Sequence, residues 1–230
     1  MIKIRKSEDR GVADFGWLHS KHTFSFGGYQ DADHMGFGTL RVINEDIVKG
    51  GKGFATHPHQ DMEIISYVLD GALEHKDSMG NGSVINKGDV QRMSAGTGIT
   101  HSEYNHSSTD DVHFLQIWFL PDAKGHEPGY EQKNFSEADR YNNFKLVSSK
   151  TGREGSVSLN QDVDILVGNI DKDISYNVDS NRKVWVQVVK GNISLNEHLL
   201  NQGDGAAIEG IDVLQFTNCN NAEIIIFNMG

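Results

Sequence analysis

Two short stretches hold the residues of this chain that could do chemistry. Residues 50–63 read GGKGFATHPHQDME and residues 94–105 read SAGTGITHSEYN. His57 and His59 are two residues apart, and so are His101 and Glu103. On a strand, residues i and i+2 point to the same face, about 7 Å apart by the rise per residue. Two such pairs facing each other inside a small barrel would converge on one ion as three imidazoles and a carboxylate. That donor set suits Fe, Mn, Ni, Cu, Co or Zn. Affinity order alone favours Cu or Zn. Open coordination positions suit oxygen chemistry, so Fe(II) is the ion expected. Glu103 is expected as fourth ligand, and also as the catalytic base if it accepts a substrate proton. Glu63 shares strand parity with the His57 pair and is expected either as a ligand or as a group that orients a ligand imidazole.

The elements that must position these residues are short strands. The runs 63–69 (EIISYVL) and 112–120 (VHFLQIWFL) are rich in β-branched and aromatic residues, and Pro121 ends the second. Asp70-Gly71 is a hairpin signal between 63–69 and a returning run at 72–76. Further short strands are expected at 38–47, 82–86 and 90–93. Strands every 8–12 residues with no long amphipathic helix indicate an all-β sandwich or barrel. Residues 122–143 are polar and interrupted by Gly and Pro, and read as a linker in which Ser136 caps a short helix.

The pattern then recurs. VWVQVV at 184–189, Lys190-Gly191 and LLNQGD at 199–204 repeat the order of 64–69, Asp70-Gly71 and VINKGD at 84–89. Counting from the two Gly turns sets Asn177 against His57, Asp179 against His59 and Lys183 against Glu63. Counting from the Gly-Asp turns sets Phe216 against His101 and Asn218 against Glu103. One metal is therefore expected, in a first domain at 1–135, with a degenerate second domain at 136–230 lacking the ligands.

HPH at 57–59, DGALEHKDSMG at 70–80 and AGTGITHSE at 95–103 resemble the pirin branch of the cupin superfamily, as do GWLHSKHTFSF at 16–26 and MGFGTLRVINED at 35–46. The resemblance implies a bicupin fold, two jelly-roll-like β-barrels in one chain. It implies that His57, His59, His101 and Glu103 hold the metal. The short second domain looks like that of the small bacterial pirin-like proteins, which implies a quercetin 2,3-dioxygenase acting on an aromatic substrate and O2. Pirins also imply an alternative: an iron-dependent, redox-sensing regulator that acts through a protein partner.

Composition excludes other classes. The 230 residues carry a formal charge of −11 and no long Lys/Arg cluster, so direct nucleic-acid binding is not expected, nor attraction to anionic membranes. Cys219 is the single cysteine, which excludes an internal disulfide and a Cys-based metal site. No apolar run approaches the ~18–20 residues of a membrane span, and the start lacks the apolar run of a signal peptide, so a cytoplasmic protein is expected. No phosphate loop or dinucleotide-binding glycine pattern is present. Phe24, Phe26 and His113 are candidates for pocket lining.

Overall fold

The computed structural model describes all residues from Met1 to Gly230. The chain divides into two compact units. One comprises Gly11–Asn134 with Val157–Gln161; the other comprises Met1–Arg10, Phe135–Ser156 and Asp162–Gly230. The break after Asn134 sits beside the 135/136 boundary drawn from the sequence, while residues 1–10 and 157–161 each belong to the unit on the far side of that boundary. No helix is long and apolar enough to cross a membrane.

The Gly11–Asn134 unit is built from two antiparallel sheets. A four-stranded sheet runs Gly53–His59, Ile99–Asn105, Ala72–Asp77, Gly82–Asn86. A seven-stranded sheet runs Gly129–Asn134, Asp89–Ser94, Glu63–Asp70, Val112–Phe119, Leu40–Val48, Leu18–His22, Gly11–Asp14. Their inner faces share a core: Val48, Val68, Val112 and Phe114 from the larger sheet pack with Leu73 and Ile85 from the smaller. The expected strands at 38–47, 63–69, 72–76, 82–86, 90–93 and 112–120 are present, with ends moved by up to two residues.

The polar stretch at 122–143 is not a linker throughout. Gly129–Asn134 pairs with Asp89–Ser94 as an edge strand. Its polar side chains are satisfied by the protein instead of by solvent: Gln132 donates to Asp89 and to the Val84 carbonyl (2.9 and 3.0 Å), and Asn134 donates to Asp89 (2.8 Å). Ser136 does cap a short helix, Glu137–Arg140, by accepting from the Asp139 amide.

In the other unit one sheet runs Ile2–Arg5, Gly205–Ile208, Lys183–Leu195, Val213–Met229, Val163–Ile170, Lys145–Ser149. Its two longest strands, of 13 and 17 residues, are broken by register shifts between Val188 and Ser194. Such bulges bend a strand and raise its twist. Gly191 sits in this bend at φ +73°, where a side chain would collide with the carbonyls of Asn220 and Asn221. The interior is apolar. Phe216 is fully buried, with Phe144 at a ring distance of 5.0 Å. Phe216 lies across from Ile174, and Asn177 from Val213. Asn177 therefore does not occupy the position equivalent to His57. The connection at 178–182 is longer than that at 60–62, so counting back from the glycine turn by the same number of residues falls short. The pair Ile174–Phe216 stands where the first unit has His57–His101.

Candidate metal centre

His57 and His101 are direct cross-strand partners, as are His59 and Ile99. Between His101 and Glu103 the register shifts, so that Glu103 lies across from Phe54. The extra residue sits in the histidine strand, a bulge of the kind that re-aims side chains. Gly53 ends this irregular stretch; a side chain there would strike the Glu103 carbonyl and the Tyr104 backbone. On its other edge, the same central strand sets His101 against Asp77 and Glu103 against His75.

The geometry brings His57, His59 and His101 together, with one ligand nitrogen from each within 4.8 Å of the others. Their hydrogen bonds fix which nitrogen faces inward. His57 donates through Nδ1 to the Ala55 carbonyl (2.8 Å), leaving Nε2 bare. His75 donates through Nε2 to Asp77 (3.2 Å), and its Nδ1 then accepts from Nδ1 of His101 (3.5 Å). His101 is left with a bare Nε2, 3.0 Å from Nε2 of His57. The His59 Nε2 is buried and has no hydrogen-bond partner. Burial holds the His59 imidazole down to about 4, and repulsion from His101 and His57 adds to it. Burial likewise holds His101 down to about 3, with His57 and His75 adding to it. Both rings are therefore neutral near pH 7.

Glu103 is buried beside this cluster and makes two bonds across to the seven-stranded sheet. It accepts from Ser66 Oγ (3.0 Å) and from Gln116 Nε2 (2.5 Å). Its carboxylate forms a second group with His75 and His101, with ligand atoms within 4.8 Å. His101 is thus common to both groups.

Glu63 belongs to neither. It accepts from Ser94 Oγ (2.8 Å) and from the backbone and side-chain nitrogens of Asn160 (both 3.1 Å). Its expected parity with His57 and His59 is lost because residues 60–62, with Asp61 at φ 49°, carry the chain from one sheet to the other. His113 pairs with Glu45 (3.0 Å), and Phe24 is buried without lining the site. Cys219 is half-buried in the other unit, and burial pushes its thiol up to about 11.

A cavity of 890 Å³ opens onto this cluster. His57, His59 and Glu103 form one wall, with Gln116, Asn44 and Asp46 from the larger sheet. The rest is largely aromatic: Trp17, Phe54, Phe26, Tyr29 and Trp118. Phe26 meets Trp118 edge-on at 5.4 Å, and Trp118 meets His59 edge-on at 5.0 Å. An apolar chamber with few convergent polar groups is the usual form of a small-molecule site. Of these wall residues, sequence reasoning anticipated only the histidines, Glu103 and Phe26. A signal for the polar ones was present: Asn44, Asp46 and Gln116 are buried polar residues on strands whose neighbouring inward positions are apolar.

Asp46 illustrates the cost of such a position. Burial pushes its carboxyl up to about 7; a bond from Ser20 opposes this, and the neighbouring Glu103 and Glu45 reinforce it. A carboxyl raised in the fold favours folding when protonated. That contribution is complete below its ordinary value of 3.8 and is lost as pH rises through about 7. Metal-free Asp46→Asn protein is therefore expected to gain melting temperature relative to wild type as pH rises from about 4 to about 7, and to hold that gain above it. Each kcal/mol is worth roughly 2–4 °C at this chain length. Scanning calorimetry of the pair across that range checks it; a constant difference would remove Asp46 as the titrating group.

Against known proteins, the pirin family pattern matches residues 4–119, and that of the quercetinase C-terminal cupin domain matches residues 146–229. A quercetin 2,3-dioxygenase of Escherichia coli K12 is 45% identical over 231 residues, covering 100% of this chain and 99% of that protein. The chain belongs to the pirin family. This pirin is a two-cupin, all-β protein, as its motifs implied. The crystal structure of the bacterial pirin YhhW from Escherichia coli in complex with nickel(II) superposes with a TM-score of 0.95 at 44% identity, covering 100% of this chain and 99% of that one. A quercetin 2,3-dioxygenase of Acinetobacter baumannii shares the fold, with a TM-score of 0.81 at 16% identity over 99% of this chain and 85% of that one.

Proposed function

We propose that this pirin is a metal-dependent dioxygenase that cleaves a flavonol such as quercetin with O2, releasing carbon monoxide and a depside. The observation that carries the reading is the meeting of three imidazoles at the wall of an aromatic chamber, two with bare Nε2 atoms and the third, His59, with an Nε2 that has no partner. Two lone pairs 3.0 Å apart repel unless a cation lies between them. Two nitrogens each ~2.1 Å from one ion and at right angles are about 3.0 Å apart. The unpartnered Nε2 of His59 completes the set. The donors fit a divalent first-row ion, and the nickel held by the Escherichia coli relative supports this. We assign His57, His59 and His101 as its ligands, Glu103 as the fourth, and Fe(II) as the working ion.

Such an ion would supply Lewis acidity toward the flavonol 3-hydroxyl and a path for electrons between substrate and dioxygen. The protein supplies the rest. Trp118, Phe26 and Phe54 sandwich flat rings and exclude water. Glu103 is the candidate base for the 3-hydroxyl proton. Gln116 and Ser66 keep its carboxylate aimed at the chamber. Asp77, through His75, holds His101 in the tautomer that presents Nε2. Asp77→Asn weakens that arrangement at one remove from the ligand and is expected to cost at most about 10–100-fold in metal affinity, the usual range for a direct partner of a ligand imidazole. Titration of the variant with a competing chelator reads this directly.

The deciding experiment measures carbon monoxide released from quercetin by protein reconstituted with Fe, Ni, Co, Mn or Cu in turn, with His101→Ala beside each. Release that depends on the ion and vanishes in the variant is expected. Equal, slow loss of quercetin in both proteins, without carbon monoxide, would be autoxidation and would end the proposal.

A further inference from the structure

Two buried oxygens in the chamber lack a partner. Asn44 and Asp46 are i, i+2 neighbours on the Leu40–Val48 strand and both face the cavity. Each is at most 4% exposed. Oδ1 of Asn44 and Oδ1 of Asp46 make no hydrogen bond. A buried polar atom left unpaired is costly, and a native structure keeps one where a ligand or water completes it. Both atoms are acceptors. A carboxyl keeps an acceptor oxygen whether or not it is protonated. The missing partners are therefore hydrogen-bond donors.

The surroundings narrow the donor further. The strand lies in the seven-stranded sheet, opposite the sheet that carries His57 and His101. Asn44 pairs with Gln116, and Gln116 is bonded to Glu103, so the two acceptors continue the inward polar row to which Glu103 is bonded. The remaining walls are mostly aromatic and small apolar groups, with Ser20 and His22 on the strand beside Asp46 and Asn44. Asp46 and Glu103 would both attract an ammonium donor, but the wide flat faces of Phe26, Tyr29, Trp17 and Trp118 favour a flat ring. A flat ring bearing hydroxyls satisfies both kinds of wall.

We propose that Asn44 and Asp46 form a hydroxyl-reading shelf that selects ring-hydroxylated aromatic ligands by accepting from phenolic O–H groups other than the 3-hydroxyl. The proposal rests on the chamber being the flavonol site, and it separates two compounds that would look alike to the metal. Quercetin and 3-hydroxyflavone share the 3-hydroxy-4-keto unit; only quercetin carries hydroxyls on its outer rings.

The test compares the dissociation constants of these two ligands for metal-free protein, read by quenching of tryptophan fluorescence, since Trp17 and Trp118 line the chamber. Wild type is expected to prefer quercetin by about tenfold or more, the loss of roughly one hydrogen bond's worth of discrimination. Asn44→Leu and Asp46→Leu are each expected to cut that preference to below about threefold while binding 3-hydroxyflavone as tightly as wild type. Asp46→Asn, which keeps an acceptor oxygen and the side-chain shape, is expected to retain it. A wild-type ratio below about twofold would overturn the shelf even if no leucine variant folds. So would leucine variants with the wild-type ratio. Neither result touches the dioxygenase reading, which is decided by metal-dependent carbon monoxide release.

Discussion

His101→Ala is expected to lower the affinity for a divalent ion by more than about 100-fold and to abolish carbon monoxide release, because this one residue serves both clusters. Losing only an outer partner of a ligand imidazole costs about 10–100-fold. His101 is itself an assigned ligand. It is also the residue that His75 and Asp77 orient and the one 3.0 Å from His57. The variant leaves His57 and His59 as two ligands on one strand, with Glu103 beyond them. It also leaves Nδ1 of His75 buried without its neighbour, at a site where His75 has no exposed surface. Some loss of stability is therefore expected alongside. Calorimetry of metal-free His101→Ala separates that from metal loss, and isothermal titration with Ni(II) measures the affinity. Binding within tenfold of wild type would show that the ion is held elsewhere.

Glu103→Gln is expected to lower turnover by about 10²–10⁴-fold at saturating metal, the range associated with removing a positioned general base. Its effect on metal affinity is expected to be smaller than that of His101→Ala. The substitution preserves volume and removes the charge. It also opposes one amide to another: Gln116 donates to the present carboxylate at 2.5 Å, and a new NH2 group can meet that donor only by rotating away. Ser66 can still donate to the remaining oxygen. The split between turnover and metal content is the diagnostic. A variant that keeps both the ion and full turnover would remove Glu103 as base and as ligand together.

Much of this site is legible in the sequence because its main signals are local. HPH and HSE place side chains two residues apart, and an extended backbone puts such pairs on one face whatever the rest of the fold does. The strand runs, the Asp-Gly turn and the Ser136 cap are local for the same reason.

Other features depend on distant contacts. Glu63 lost the parity expected of it because the chain crosses between sheets at residues 60–62, and it bonds instead to Asn160, 97 residues away. Asn177 missed its place because a longer connection shifted the register. His75 has no informative spacing in the sequence; only pairing of its strand with Ile99–Asn105 sets it against His101. The polar edge strand Gly129–Asn134 exists because Asp89 is there to receive its side chains.

By itself, then, the amino-acid sequence determined the ligand types, their strand spacing, the all-β class and the doubling of the barrel, since each depends on residues close together in the chain. The tertiary structure decided which tautomer each histidine presents, that Glu103 is held by Ser66 and Gln116, and that Asn44 and Asp46 face an aromatic chamber. Those outcomes depend on which strands pair and in what register, and that pairing is set by packing of the whole unit, beyond the reach of any single segment.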